Sequence, residues 1–212
     1  MIAAPTGATL LDLACGTGAY ADALQQQGFD VIGVDASPEM LAVARGKNAD
    51  VMLVCQRLEE LDLYGTAQAA ICLTDSINHI ADSAKVKRFF KRLALFLEPG
   101  APFIFDVNTL HKHERVLANN TFAYECEEAF CVWQNQWDEQ ARTTQISLDL
   151  FVEEDGVYHR HQEQFCERAY SVEELSAWLK KAGFLVEAVY GELTHEPPGE
   201  KEQRVYFVCR RK

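Results

Sequence analysis

The sequence predicts an α/β fold: a doubly wound, mostly parallel sheet of seven strands, its last strand reversed, with a small antiparallel β insertion. Three observations predict it. Residues 10–18, Leu-Leu-Asp-Leu-Ala-Cys-Gly-Thr-Gly, join an apolar run to two glycines one residue apart. A second apolar run, residues 31–34, ends in Asp35. Two strand-like segments close the chain, residues 184–190 and 204–209, around the loop Glu196-Pro197-Pro198-Gly199.

The first apolar run is long enough for a buried strand. Gly16 and Gly18 permit the sharp turn after it and let backbone N–H groups approach a ligand that a Cβ would exclude. A helix-like stretch, residues 19–27, is stopped by Gly28. Strand, glycine turn, helix, strand and acid, in that order, make the nucleotide-binding half of a doubly wound domain. An acid at the tip of the second strand is placed to accept from both hydroxyls of a ribose. Ser37-Pro38-Glu39 starts a helix, with an N-cap serine, a proline at the first position and an acid in the first turn. It runs to about Arg45 and stops at Gly46. Residues 51–55 and 69–73 read as the third and fourth strands. Val86, Phe89, Phe90, Leu93, Phe96 and Leu97 share one helical stripe, broken by Glu98-Pro99-Gly100, and residues 102–107 form the fifth strand. Ser171-Val172-Glu173-Glu174 is a capping box opening a helix that ends at Gly183.

Residues 110–170 depart from this alternation. Strands are expected at 130–137, 143–152 and 157–168, the last two joined by Glu153-Glu154-Asp155-Gly156, an Asp-Gly hairpin signal. This predicts one domain over 1–212, with a core of 1–109 and 171–212 and an antiparallel insertion at about 110–170.

Composition sets bounds on partners. A net charge of −12 argues against a phosphate-backbone partner, so no nucleic acid is expected. The basic run at Lys85, Lys87, Arg88, Lys91 and Arg92 alternates with apolar residues and reads as a solvated helix face. No apolar run reaches the roughly 18–20 residues of a membrane span, and no signal peptide opens the chain. Seven cysteines without a C-x-x-C pair read as reduced thiols of a cytoplasmic protein.

Two cofactor classes fit the glycine turn. Gly16-Thr17-Gly18-Ala19-Tyr20-Ala21 matches the dinucleotide spacing, with Asp35 at about the expected distance. Asp12 argues against that reading, because a carboxylate at the turn would repel a pyrophosphate. It suits a ligand bearing an ammonium group, and S-adenosylmethionine carries an ammonium, a sulfonium and a ribose. The stretch resembles motif I of the class I S-adenosylmethionine-dependent methyltransferases, for which Leu-Asp-Leu-Ala-Cys-Gly-Thr-Gly is close to a signature. The closing strand pair resembles the reversed seventh strand of the same Rossmann-like fold. The antiparallel insertion sits where many small-molecule methyltransferases carry a substrate-covering sheet.

The resemblance implies roles residue by residue. Asp12, with the turn backbone of Ala14, Cys15 and Gly16, would hold the methionine end of the cofactor. Asp35 would take the ribose hydroxyls, and Ala36 and Met40 would lie along the adenine. Arg57 stands where relatives have an acid receiving the adenine amino group, and arginine cannot accept that bond. The backbone of Leu58 then does the recognition, or the register shifts by one, or cofactor binding is weak. Leu73 ends the fourth strand near the methionine backbone. Only nine residues precede Leu10, where relatives carry helices that fold over the cofactor. The resemblance thus leaves open a non-catalytic or weakly active S-adenosylmethionine-binding module of the same fold.

Methyl transfer asks little acid–base chemistry of the protein. Holding nucleophile, methyl carbon and sulfur in line is worth up to roughly 7–11 kcal/mol, and a base is needed only if the acceptor arrives protonated. His79, just past the fourth strand, is the candidate base. Asp75 either steers an amine or caps the next helix. Asn78, Tyr124, Trp133, His161 and Arg168, with His159 and Glu163, are candidate contacts for a small-molecule acceptor. His111-x-His113 and His159-x-His161 have metal-like spacing, but no completing ligand set is evident and no metal is expected. A monomer or a homodimer is expected.

Overall fold

A computed structural model describes residues 7–48, 50–127 and 129–212. Its main sheet is built from β1 (Thr9–Leu13), β2 (Asp30–Asp35), β3 (Met52–Cys55), β4 (Ala69–Cys72), β5 (Pro102–Asn108), β10 (Phe184–Gly191) and β11 (Arg204–Arg211). They lie in the order β10-β11-β5-β4-β1-β2-β3. The pairs among β1 to β5 are parallel, and β11 runs antiparallel to both β5 and β10. The reversed strand is therefore inside the sheet, between β5 and β10.

The helices are α1 (Ala19–Gln26), α2 (Pro38–Lys47), α3 (Ser83–Phe96) and α4 (Val172–Ala182). The starts of α2, α3 and α4 carry side-chain caps. Ser37 Oγ accepts from the Met40 N–H at the start of α2, and Ser171 with Glu174 forms the reciprocal capping box of α4. Gly46 does not stop α2. It occupies the last turn, and the chain leaves the helix at Asn48.

Binary patterning puts the main core on the α3–α4 side. Phe89, Phe90 and Leu93 of α3 and Leu175 and Leu179 of α4 pack with Phe103 and Phe105 of β5 and Phe207 of β11. The Phe105 and Phe207 rings stack with centroids 4.6 Å apart. On the other face Leu10, Ala69 and Ile71 meet Leu24 of α1. Both faces of the parallel strands are covered, so β4 reads as an unbroken apolar run and β1 as one broken by Asp12.

A second sheet, in the order β6-β7-β8-β9, is fully antiparallel. It comprises β6 (Thr121–Cys126), β7 (Ala129–Asp138), β8 (Thr143–Glu154) and β9 (Val157–Arg168). Asp155 and Gly156, both at positive φ, make the turn between β8 and β9, as the Asp-Gly signal predicts. The sheet has one strand more than expected, since β6 was not among the predicted strands. The connection into it was also missed: a π-helical turn, Lys112–Leu117, follows β5. A π-turn has no apolar periodicity that marks it in a sequence, and such turns gather at functional sites.

Candidate active site

The turn after β1 adopts left-handed backbone at alternate residues: Ala14 (φ 58°), Gly16 (φ 54°) and Gly18 (φ 76°). The chain thereby reverses within five residues and presents its amides to Asp35 at the tip of the neighbouring strand. Asp35 Oδ2 accepts from the Gly16 N–H at 2.8 Å, and Oδ1 accepts from the Ser37 N–H at 2.9 Å. Two backbone donors from different loops fix that carboxylate in one orientation. Beside it lies a pocket of about 180 Å³ lined by Ala14, Asp35, Ala36, Arg57, Leu58, Ser76 and His79, among others. The side chain of Gln56 also lines it and is tied to the backbone of Asp62 through both its oxygen and its nitrogen, which stiffens this wall.

Asp12 is 2 % exposed, and its Oδ2 has no hydrogen-bond partner. Burial, with a smaller contribution from the like charge of Asp35, pushes its carboxyl up to about 7. An unpartnered carboxylate oxygen just before the turn, and an oriented carboxylate one strand away, fit a ligand with an ammonium at one end and a ribose further along. Because the folded-state value lies above the ordinary one, the charge is a burden at high pH. The burden is full above about 7 and shrinks as pH falls toward 4. Asp12→Asn is therefore expected to raise the thermal stability of the ligand-free chain more at pH 8 than at pH 5, while weakening cofactor binding. Melting curves at the two pH values, with calorimetry of S-adenosylhomocysteine, check both effects.

Other cofactor candidates fall at varying distances from the pocket. Cys15 is buried in the turn, where burial pushes its thiol up to about 12, so it acts as an apolar wall. A Cβ on Gly33 would lie 3.0 Å from its sulfur, which explains the glycine in β2. Leu73 packs on the Leu10–Ile71 cluster. Met40 is 47 % exposed on α2 and is not among the residues lining the pocket beside Asp35.

The opposite end of the pocket is built by the loop after β4. Thr74 (φ 59°) and Asp75 (φ 52°) are consecutive left-handed residues without glycine, a conformation that costs of order 1–3 kcal/mol per residue and persists where surrounding contacts enforce it. Here the contacts are ionic. The Asp75 N–H donates to Asp106 Oδ2 at 2.9 Å, and its carboxylate accepts from Arg204 Nη2 at 2.7 Å and Asn108 Nδ2 at 2.9 Å. Arg204 also binds Asp106. Asp75 is thus no helix cap: Asp82 caps α3, accepting from the Ala84 N–H at 2.8 Å.

His79 lines the pocket with its side chain 47 % exposed. Its ring stacks on Phe165 of β9 at 5.0 Å, and its Nε2 stands 3.5 Å from Glu167 Oε1. Burial lowers its ordinary value, against the opposing pull of Asp75 and Glu163. Behind it lies a group the sequence reading passed over. Glu167 is 4 % exposed, its Oε2 unpartnered, and burial with the like charge of Asp75 raises it to about 7. Its Oε2 faces Nε2 of fully buried His113 at 3.8 Å, and His113 Nδ1 pairs with Thr144 Oγ1 at 2.8 Å. Burial lowers His113 to about 4.

Strand alternation could have found Glu167. Residues 159, 161 and 163 share one face, and the same parity continues to Phe165 and Glu167. That face also carries Tyr124 and Trp133, since the cross-strand ladders run Tyr124–Cys131–Leu150–His161 and Phe122–Trp133–Leu148–Glu163. Tyr124, Trp133 and His161 are therefore on the side that meets His79, several residues further out along the sheet. Arg168 has the opposite parity and lies over the Tyr170 ring at 5.5 Å, so it does not join them. Asn78 also leaves the substrate set. It is fully buried, its Nδ2 donating to the carbonyls of Asn108 and Arg168 and its Oδ1 accepting from the Asn108 N–H. It brackets β5 to β9 and has no polar atom free for an acceptor.

Donor atoms of Asp75, His79 and Glu167 come within 4.8 Å of one another. Asp75 is already neutralised by Arg204, and Lys112, bonded to Asn108 at 2.9 Å, stands nearby. The cluster is thus a charge-balanced network that can position and exchange a proton.

Known proteins agree with this geometry. Residues 10–100 match the family described as a methyltransferase domain. A methyltransferase-family protein of Geobacillus sp. (strain WCH70) is 30 % identical over 207 residues, 95 % of this chain and 84 % of its own length. The crystal structure of an S-adenosylmethionine-dependent methyltransferase from Clostridium acetobutylicum is 31 % identical, with a TM-score of 0.90 over 96 % of this chain and 83 % of the other. An S-adenosylmethionine-bound amino pentose methyltransferase from Micromonospora echinaspora shares the fold, with a TM-score of 0.79, 24 % identity and coverage of 98 % of this chain and 85 % of the other. With the glycine turn, the oriented Asp35 and these likenesses over nearly its whole length, the chain belongs to the class I S-adenosylmethionine-dependent methyltransferases, and S-adenosylmethionine is its cofactor.

Proposed function

We propose that this chain methylates a small molecule at an amine. The observation that carries the reading is His79 on the pocket wall with a buried carboxylate, Glu167, 3.5 Å behind it. In this reading Asp12 and the turn backbone of Ala14, Cys15 and Gly16 hold the ammonium end of the cofactor. Asp35 takes the ribose hydroxyls, and Ala36, Arg57 and Leu58 border the adenine. Bound there, S-adenosylmethionine supplies a methyl group already activated by its sulfonium.

The chain's own task is to present a nucleophile in line and to remove its proton. An amine reaches the site as an ammonium, and burial keeps the His79 ring in its neutral, proton-accepting form against the opposing pull of Asp75 and Glu163. Deprotonation by His79 releases the lone pair at the place of reaction. The aromatic and apolar face of the second sheet beside this point suits a small organic acceptor. The amino pentose substrate class named for the Micromonospora protein supports the same choice. Seven unpaired cysteines fit a reducing, cytoplasmic setting.

The test is an acceptor panel. Purified chain with S-adenosylmethionine is offered amino sugars, free and nucleotide-linked, arylalkylamines, and the hydroxyl counterpart of each, and S-adenosylhomocysteine is quantified. Turnover with amines and not with their hydroxyl counterparts is expected. Turnover confined to hydroxyl acceptors would overturn the amine reading. Tight cofactor binding with no turnover across the panel would favour the non-catalytic module.

A further inference from the structure

Two buried polar atoms in this protein face each other without a hydrogen bond: Glu167 Oε2 and His113 Nε2, 3.8 Å apart. Unpartnered buried groups are rare in folded proteins and call for an explanation. These two belong to different elements, β9 and the π-helical turn, and both lie directly behind His79. The carboxylate is flanked by two imidazoles, its Oε1 toward His79 and its Oε2 toward His113. His113 is held from its far side by Thr144 of β8.

We infer that Glu167 is a positioning residue for His79, and that His113 is the prop that keeps the Glu167 carboxylate in place. The inference rests on the methyltransferase reading above and extends it to a two-layer proton acceptor. With Nε2 of His79 turned to the carboxylate, Nδ1 is the nitrogen left for the acceptor. The acceptor's N–H bond breaks, its electron pair stays on nitrogen, and the proton passes to His79 Nδ1. The imidazolium so formed is held by the ionised carboxylate, and the proton later leaves to water from the exposed side of the ring. A separation of 3.5 Å between a neutral ring and a carboxylate shortens once the ring is charged, because charge-assisted hydrogen bonds are the shorter and stronger ones. The π-helical turn has a role here: it brings an imidazole to a carboxylate that the sheet alone would leave unsupported.

Every charged group around the pair bears on its titration. His79 faces Asp75, Glu163 and Glu167. Glu167 faces Asp75, Lys112, Arg204 and the two imidazoles, with Asn108 beside it. His113 faces Lys112, Asp75 and Glu167. Among these the Glu167 carboxylate is the one that touches both rings, so its loss is read at both.

The experiment is a histidine-ring NMR titration of the full chain saturated with S-adenosylhomocysteine, with His79→Asn used to assign the resonance. Glu167→Gln is expected to lower the His79 midpoint by about one pH unit, because ring and carboxyl share a proton as one coupled pair and the amide takes no part in that sharing. Glu167→Asp, which keeps the charge on a shorter stem, should restore part of the shift. S-adenosylhomocysteine affinity should stay within about threefold of wild type in both variants. An unmoved His79 midpoint in Glu167→Gln overturns the inference while leaving the cofactor reading intact. Loss of S-adenosylhomocysteine binding by the wild type would instead sink the underlying reading. Should Glu167→Gln fail to fold, carboxyl-labelled wild type answers the question: Glu167 must show a second titration step at the His79 midpoint, and a single independent step refutes the coupling. Manganese added to the wild type should leave His79 unbroadened beyond His159, eight residues from Glu167 along β9. Selective loss of the His79 signal would replace the proton role with a cation site.

Discussion

Replacing Asp35 with alanine is expected to weaken S-adenosylhomocysteine binding at least ~100-fold, measured by calorimetry. The carboxylate is set in place by the Gly16 and Ser37 amides at 2.8 and 2.9 Å, leaving its remaining lone pairs for two ribose hydroxyls. Hydrogen bonds to a charged group contribute about 1.5–3 kcal/mol each, so losing two removes about 3–6 kcal/mol. A tenfold change in affinity corresponds to about 1.4 kcal/mol. The substitution also leaves two loop amides without their acceptor, which loosens the turn that cradles the ligand. Asp35→Asn, which keeps one carbonyl oxygen, should fall between the two. Binding by the alanine variant within threefold of wild type would place the ribose elsewhere.

Arg204→Ala is expected to be the most damaging single change for stability outside the aromatic core. The guanidinium is 16 % exposed and joins Asp75, Asp106 and Glu192. Asp106 is itself 1 % exposed. Removing one partner from a buried ionic set leaves an uncompensated charge, at about 3–5 kcal/mol. For a chain of this size that is a fall in Tm of roughly 6–20 °C. The pH dependence follows from the sign of the shift. Burial already raises Asp106 above its ordinary value, and without Arg204 it rises further. The penalty is then complete at neutral pH and shrinks as acid protonates Asp106. Melts at pH 7.5 and pH 5 should show the larger deficit at the higher pH. Arg204→Lys should recover part of the loss, because lysine supplies the charge but not the planar fork that spans two carboxylates.

The half of the site assigned to the cofactor is local in sequence, and for that reason it could be read there. Residues 12–18 and Asp35 are joined by one strand–turn–helix–strand unit whose geometry follows from glycine spacing and apolar runs. The half that faces the acceptor is not local. Arg204 reaches Asp75 across 129 positions, and Asn78 meets the Arg168 carbonyl across 90. No pattern in a single sequence states such pairings. Glu167 was within reach through the parity of β9. His113 was not, because its place depends on the π-turn, and spacing to His111 suggested a different chemistry. Asp75 misled for a related reason: an acid after a strand reads as a helix cap, yet α3 starts eight residues later with a cap of its own, Asp82.

The position of β11 has a consequence for how the protein is made. Residues 204–211 are translated after every other strand but belong in the interior of the sheet, between β5 and β10. A nascent chain halted before them can form the glycine turn and seat Asp35, yet it presents β5 as an open edge backed by Phe103 and Phe105, the kind of edge that invites pairing with other chains. It also lacks the guanidinium that holds Asp75. On the reading proposed above, the ribose side of the site can therefore form before the acceptor side, which waits for the β11 residues to enter the gap. Long-range insertion of this kind is slow compared with local pairing. On that reading, newly made chains pass through a stage in which the side assigned to the methyl donor's nucleoside has all its residues and the side assigned to the acceptor lacks Arg204.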